Sequence, residues 1–330
     1  MQYLKYLLII SLLIISCKNN KSIKEKVAQE DQEWVPEGAH LLNDIELAGG
    51  QIFRIDSFPS QFIRPRNVDV WLPDNYSKDK EYAVLYMHDG QNLFDANKTW
   101  NNQEWRVDEI FSELFLKDSI KNSIVVAIWN IPEIRHADYF PRKAYDFLNE
   151  KEKKYLADIA QKQEININEA NLNADNYLKF IVNELKSYID LNFSTLTDSQ
   201  NTYIAGSSMG GLISMYAVCE YPDVFGGAAC ISTHWPGIMP VANNPVPSAF
   251  FKYMEAHIPS PGLHKFYFDY GTETLDQYYP QYLKDIDRIF NTKGYSIENY
   301  MNLEFEGADH SEDSWNRRFD IPVLFLLGKD

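Results

Sequence analysis

Between Thr202 and Val218 a short apolar β-type segment, Tyr203 to Ala205, runs into a helix-like stretch, Leu212 to Val218, with Pro222 beyond it as a stop. The join is Gly206-Ser207-Ser208-Met209-Gly210, a G-x-S-x-G pentapeptide. A strand before it and a helix after it are the context in which this pattern carries chemistry. The turn forces its central residue into a strained conformation, and the flanking glycines leave room for the adjoining strand and helix. Ser208 Oγ is thereby expected at the C-terminal end of a strand, over a helix N-terminus that favours developing negative charge.

The rest of the chain alternates in the same way. Strands are expected at 51–56, 67–72, 82–88, 123–129, 202–205, 227–232, 265–270 and 301–305. Helices are expected at 105–116, 174–191, 209–220, 248–256, 275–292 and 312–327. Runs such as Ala83-Val-Leu-Tyr-Met87 and Ile124-Val-Val-Ala-Ile128 are apolar throughout. That pattern suits strands buried on both faces of a mainly parallel sheet. The first two strands, joined by a short polar link, suggest an antiparallel N-terminal edge. The order gives a three-layer α/β sandwich with right-handed crossovers. No linker divides residues 40–330, so one domain is expected there. The polar stretch from Arg142 to Asn173 breaks the rhythm and reads as a mobile surface excursion or a partial lid.

Residues 1–16 stand apart. Lys5 precedes the apolar run Leu7 to Ile15, too short to span a bilayer and suited to a signal peptide. Ile14-Ile15-Ser16-Cys17 resembles the lipobox of bacterial lipoproteins, which implies acylation of Cys17. Residues 17–39 then read as a flexible tether. An extracytoplasmic domain anchored to a membrane by lipid follows from these readings. The formal net charge of −16 argues against a nucleic-acid partner, which requires basic patches. Cys219 and Cys230 are either a disulfide or two buried thiols.

A serine nucleophile needs a base to take its proton and a carboxylate to hold that base. In the α/β-hydrolases, whose nucleophile turn the 206–210 pentapeptide resembles, the acid and then the histidine follow the serine in the chain. His257 and His264 fall at the wrong end of the sheet. His310 follows the last strand, with Ser311 as a possible N-cap of the final helix, and is the expected base. The acid belongs after the strand 265–270, where Asp276 is favoured and Glu273 stays open. The two backbone donors of an oxyanion hole are expected from Met209, directly after the nucleophile, and from Gln91 in the loop Asp89-Gly90-Gln91-Asn92. His88 reads as structural. Asp95 to Thr99 lacks the glycine and closing Glu of a calcium loop, and no clustered Cys or His appears, so neither metal nor cofactor is implied. Trp100, Trp105, Arg135, Tyr139, His234 and Trp235 follow strand ends and are expected at the mouth; Trp105, Arg135, His234 and Trp235 are the candidate substrate contacts.

These pieces resemble the putative-esterase family of α/β-hydrolases (esterase D-like, carbohydrate esterase family 1-like). The resemblance lies in Tyr86-Met-His-Asp-Gly-Gln-Asn-Leu-Phe94, Ala205-Gly-Ser-Ser-Met-Gly-Gly211, Ser232-Thr-His-Trp235 and Gly307-Ala-Asp-His-Ser-Glu312. It implies an α/β-hydrolase fold, Ser208 as nucleophile, His310 as base and the amides of Gln91 and Met209 as oxyanion donors. It fixes the chemistry better than the substrate. The expected function is a serine esterase acting on acylated carbohydrates, a small molecule or an oligosaccharide. The alternatives are a siderophore esterase, an acyltransferase in which another hydroxyl replaces water, and a silent binding protein that keeps the fold.

Overall fold

A nine-stranded sheet carries the molecule, in the order β1-β2-β3-β5-β4-β6-β7-β8-β9. The computed structural model describes residues 34–165 and 167–329. The expected signal peptide, the expected acylation site Cys17 and most of the expected tether lie outside these residues. From Glu37 onward the chain forms one compact unit. The strands are β1 (His40–Leu41), β2 (Gln51–Phe58), β3 (Arg66–Leu72), β4 (Ala83–His88), β5 (Ser123–Ile128), β6 (Thr202–Ser207), β7 (Gly227–Ile231), β8 (Lys265–Gly271) and β9 (Tyr300–Phe305). β1, β2 and β3 form the antiparallel edge and pair onto β5. β5, β4, β6, β7, β8 and β9 run parallel. Every residue of β4, β5, β6 and β7 is buried, as their largely apolar runs lead one to expect of central parallel strands.

The helices are α1 (Val107–Leu116), α2 (Pro132–Tyr139), α3 (Glu150–Lys162), α4 (Ala174–Lys179), α5 (Lys186–Asn192), α6 (Met209–Glu220), α7 (Val246–His257), α8 (Leu283–Lys293), α9 (Glu312–Asn316) and α10 (Asp320–Leu327). On one face of the sheet Val107 and Phe111 of α1 and Val323 and Leu326 of α10 share a core with Leu85, Met87, Val125, Ala127, Tyr203 and Ala205. α6 packs on β6 and β7 and meets α2 and α7. Its residues from Met209 to Cys219 are all buried, which suits a sequence apolar around its whole circumference. Cys219 and Cys230 are free, buried thiols, and burial raises both of their pKa values.

Prolines account for two departures from the expected helices. The segment expected as one helix from Leu275 holds two 3₁₀ turns, Asp276–Tyr278 and Pro280–Tyr282, before α8 begins. Pro280 supplies no N–H to continue a helix through that point. The C-terminal helix divides at Arg317 to Phe319, because Pro322 is tolerated only in the first turn of a new helix, α10. The stretch 142–173 is more structured than its polarity suggests. α3 opens with a capping box, Asn149 with Glu152, and buries Leu156 and Ala160 four residues apart on one face.

α1 holds a buried acid. The Asp108 carboxylate accepts the Ala48 N–H at 2.6 Å. Burial, with the Glu109 carboxylate beside it, pushes its pKa up to about 8. The folded chain therefore keeps a proton that the unfolded chain gives up above about pH 4, and this contribution to stability is lost as pH rises toward about 8. Asp108→Asn is expected to raise the melting temperature near pH 8 by a few degrees and to flatten its decline above about pH 5. Thermal denaturation across that range checks it.

Candidate active site

The join of β6 to α6 sets the geometry. Ser208 sits at φ 59°, ψ −121°, a region that side chains disfavour. Its neighbours hold it there. Ser208 N–H donates to the Ile231 carbonyl at 2.9 Å, and its own carbonyl accepts from His234 N–H at 3.1 Å. The glycines permit the crossing. A Cβ on Gly206 would lie 3.0 Å from the Gly210 backbone, and one on Gly211 would lie 2.7 Å from Thr233 Oγ1. Ser208 lines a cavity of about 500 Å³ together with Asp89, Gln91, Trp100, Trp105, Arg135, His310, Glu312 and Trp315.

His310 enters this cavity from the loop after β9. Its Nδ1 lies 2.5 Å from Asp276 Oδ1. Asp276 is fully buried, and its Oδ2 accepts from Ser232 Oγ at 2.5 Å and Gly271 N–H at 2.6 Å. Burial alone would raise the Asp276 pKa. The bonds from His310, Ser232 and Gly271 outweigh it and hold the carboxyl below its ordinary value. With Nδ1–H donated to a carboxylate, Nε2 is the ring nitrogen that carries the lone pair. Of the two carboxylates left open by the sequence, Asp276 makes this bond and Glu273 is exposed. The ring is braced edge-on by Trp315, with centroids 5.0 Å apart, and by Tyr279 at 6.1 Å.

The acid loop and the histidine loop are stitched together. Thr272 and Glu273 N–H both donate to the Ala308 carbonyl at 3.0 Å. Gly307 N–H donates to Thr272 Oγ1 at 2.8 Å, and His310 N–H donates to Thr274 Oγ1 at 2.9 Å. Gly271 allows this approach, since a Cβ there would stand 2.1 Å from the Ala308 oxygen.

On the other side, Asp89 takes a left-handed conformation (φ 58°) and opens the 3₁₀ turn Gly90–Asn92. Gln91 in this turn lines the cavity, while Met209 is buried and supplies the first amide of α6, which has no intrahelical acceptor. The turn is pinned by Asp89, whose carboxylate accepts Arg135 Nε at 2.8 Å, Arg135 Nη2 at 2.7 Å and Asn130 Nδ2 at 2.6 Å. Burial opposes ionisation of Asp89, but Arg135 and Asn130 win and keep its pKa low. His88, just before it, is buried and bonds Tyr177 OH at 2.8 Å; burial lowers its pKa to about 3.

Trp105 and Arg135 reach the cavity, though Trp105 is buried against Trp315 and Phe319 and Arg135 is committed to Asp89. Trp100 stands at the mouth with 84% of its surface exposed. Two expected contacts lie elsewhere. His234 is buried, with Nδ1 on Tyr279 OH at 2.9 Å and Nε2 on the Ile238 carbonyl at 3.0 Å, so both ring nitrogens are used. Burial holds its pKa down to about 3. Trp235 is packed between Phe251 and Phe268. Both side chains serve the interior behind the site. Three contributors were not among the candidate site residues read from the sequence. Ser232 bridges Asp276 to Trp315 and Arg318, Arg318 pairs with buried Asp269, and Glu312 lines the cavity. Ser232 and Glu312 fall inside the stretches that carry the family resemblance, and Glu312 stands two residues after His310; Arg318 had no such signal. Among the described residues no group of three or more His, Cys, Asp or Glu side chains could hold a metal ion.

Such an arrangement can activate a hydroxyl and stabilise an oxyanion beside it. The backbone strain at Ser208 has a measurable consequence. Ser208→Gly should be more stable than Ser208→Ala by about 1 kcal/mol, because glycine alone occupies this conformation without cost. Denaturant titration compares them, and an Ala variant as stable as the Gly variant would remove the strain argument.

The family model Esterase, described as "Putative esterase", matches residues 60–321. The Bacillus subtilis (strain 168) protein YbbA is 24% identical over 280 residues, covering 80% of this chain and 94% of its own. Among solved structures, a ferulic acid esterase superposes with a TM-score of 0.56 at 16% identity, over 84% of this chain and 98% of that one. The enterobactin esterase of Shigella flexneri gives 0.57 at 15%, over 90% of this chain and 63% of that one. At these identities the likeness of the solved structures is one of fold.

Proposed function

The chain belongs to the putative-esterase family and is a carboxylic ester hydrolase, and we propose that it works through a covalent acyl-enzyme on Ser208. The observation that carries this reading is the 2.5 Å bond from His310 Nδ1 to buried Asp276, with His310 opening into the cavity that Ser208 lines. Ser208 Oγ attacks the ester carbonyl while His310 Nε2 takes its proton. Asp276 fixes the tautomer and stabilises the imidazolium. The carbonyl oxygen, now an oxyanion, accepts from the amides of Met209 and Gln91. The bond to the leaving alcohol breaks as His310 returns the proton to it. Water, deprotonated by His310, then attacks the acyl-enzyme and releases the acid, restoring Ser208.

The substrate we favour is an acylated carbohydrate. Trp100, an exposed indole at the cavity mouth, suits the apolar face of a sugar ring or an aryl acyl group. One of the fold relatives is, by its name, an esterase of ferulic acid, an aryl acid. An anchored, extracytoplasmic address would place the enzyme where such polymers occur, and Cys17, by its lipobox-like setting, is the proposed point of acylation.

Ser208→Ala is expected to abolish hydrolysis of 4-nitrophenyl acetate while the thermal melt stays cooperative. Asp276→Asn should cost about 10³-fold or more in kcat, and Glu273→Gln less than about threefold. Comparable losses in the two would mean that another carboxylate serves the histidine. Cys17→Ser should move the protein from the membrane fraction to the soluble one, and continued sedimentation with membranes would refute the acyl anchor. Added acceptor alcohol in the same assay separates hydrolase from transferase by its products.

A further inference from the structure

The charges that face the cavity do not cancel. Arg135 is the one Lys or Arg among the described residues lining it, and its guanidinium grips Asp89 with two bonds of 2.8 and 2.7 Å, so that this pair contributes no net charge. The remaining carboxylate in the wall is Glu312, which is 9% exposed. Its hydrogen-bond donors are neutral amides: Asn101 Nδ2 reaches Oε2 at 2.9 Å, and Asn92 Nδ2 reaches Oε1 at 3.4 Å. Asn101 is fixed in this orientation because its Oδ1 accepts Gln103 N–H at 3.2 Å, which turns the amide nitrogen toward Glu312. The other end is fixed as well. Glu312 opens α9, whose N-cap Ser311 accepts Ser314 N–H at 3.3 Å. The carboxylate is therefore a stationary charge two residues from His310. It shares the cavity wall with the indoles of Trp105 and Trp315, which, unlike water, have no freely reorienting dipoles to screen its field.

We propose that Glu312 is a specificity-determining residue that confines the enzyme to esters with no negative charge near the scissile bond. The proposal rests on the serine-esterase reading and narrows its substrate class. A neutral acylated sugar meets no opposing charge in this cavity. A substrate that brings a carboxylate or phenolate must approach Glu312 with no free cation among the described residues of the wall to compensate, since Arg135 is engaged. Polyanionic esters, including catecholate siderophores in their metal-bound form, are disfavoured on the same ground. Glu312 also links the loop that carries His310 to the loop that carries Trp100, so its charge and its placement act on the same space.

The test uses two 4-nitrophenyl esters of nearly equal size, the methyl terephthalate diester and the hydrogen terephthalate monoester, which differ by one negative charge and whose para carboxyl cannot reach its own ester. The readout is the ratio of their kcat/KM values, which is insensitive to the amount of active enzyme. The wild-type chain is expected to favour the neutral ester by roughly tenfold or more at low ionic strength, and the preference should narrow as salt is added. Glu312→Gln keeps an oxygen for Asn101 and removes the charge. It should shift the ratio toward the anionic ester by about fivefold or more. An unchanged ratio in Glu312→Gln would overturn the proposal. Should that variant fail to fold, a wild-type ratio near one, or one indifferent to salt, overturns it equally. Hydrolysis of neither ester by the wild-type chain would instead defeat the esterase reading, and this inference with it.

Discussion

A buried carboxylate is stable only when something answers its charge, and the Asp276 side chain is answered from three directions. His310, Ser232 and the Gly271 amide each bond it, and together they reverse the effect of burial on its acidity. Ser232 is the hub of a wider set. Its hydroxyl gives its proton to Asp276 and accepts from Trp315 Nε1 and Arg318 Nη2, each at 2.9 Å. Arg318 in turn pairs with buried Asp269, whose Oδ1 accepts the Ser232 N–H. The ends of β7 and β8 and the start of the C-terminal helices are tied to one point by charge-assisted bonds. The position of the histidine is thus a property of the sheet edge as a whole.

A second anchor mirrors the first across Ser208. Asp89, Arg135 and Asn130 fix the turn that holds Gln91, using α2 and the end of β5 as supports. Both anchors consist of an acid whose charge is met locally, and both stand at the C-terminal ends of parallel strands. Between them the strained Ser208 backbone is held by bonds to β7 and to the loop after it. Such supports hold the Ser208 side chain and the groups around it in one orientation.

The strands from β2 to β9 and the turn at Ser208 were legible because each rests on a local pattern: apolar runs for buried strands, and a strand, glycines and a helix around Ser208. His310 was legible from its place after the final strand. The choice between Asp276 and Glu273 was not, because both lie in one short loop and the difference is made by chain direction. Pro280 halts the expected helix, and the resulting 3₁₀ turn puts Asp276 inside while Glu273 stays in solvent. His234 and Trp235 show the opposite limit. An aromatic after a strand end can face the mouth or the interior, and only the partners Tyr279, Ile238, Phe251 and Phe268 decide which. Glu312, Ser232 and Arg318 act through contacts across scores of residues of sequence, which no local window contains.

The stitching of the acid loop to the histidine loop bears on how the fold can be varied. The Ala308 carbonyl accepts two amides from the acid loop, and two threonine hydroxyls accept amides from the histidine loop. The two loops behave as one part cut from two places in the chain. Recombination between relatives that crosses over between Gly271 and His310 would mate halves shaped for different partners. Exchange of the whole span from β8 to α9 would carry the part across intact and leave the nucleophile turn undisturbed.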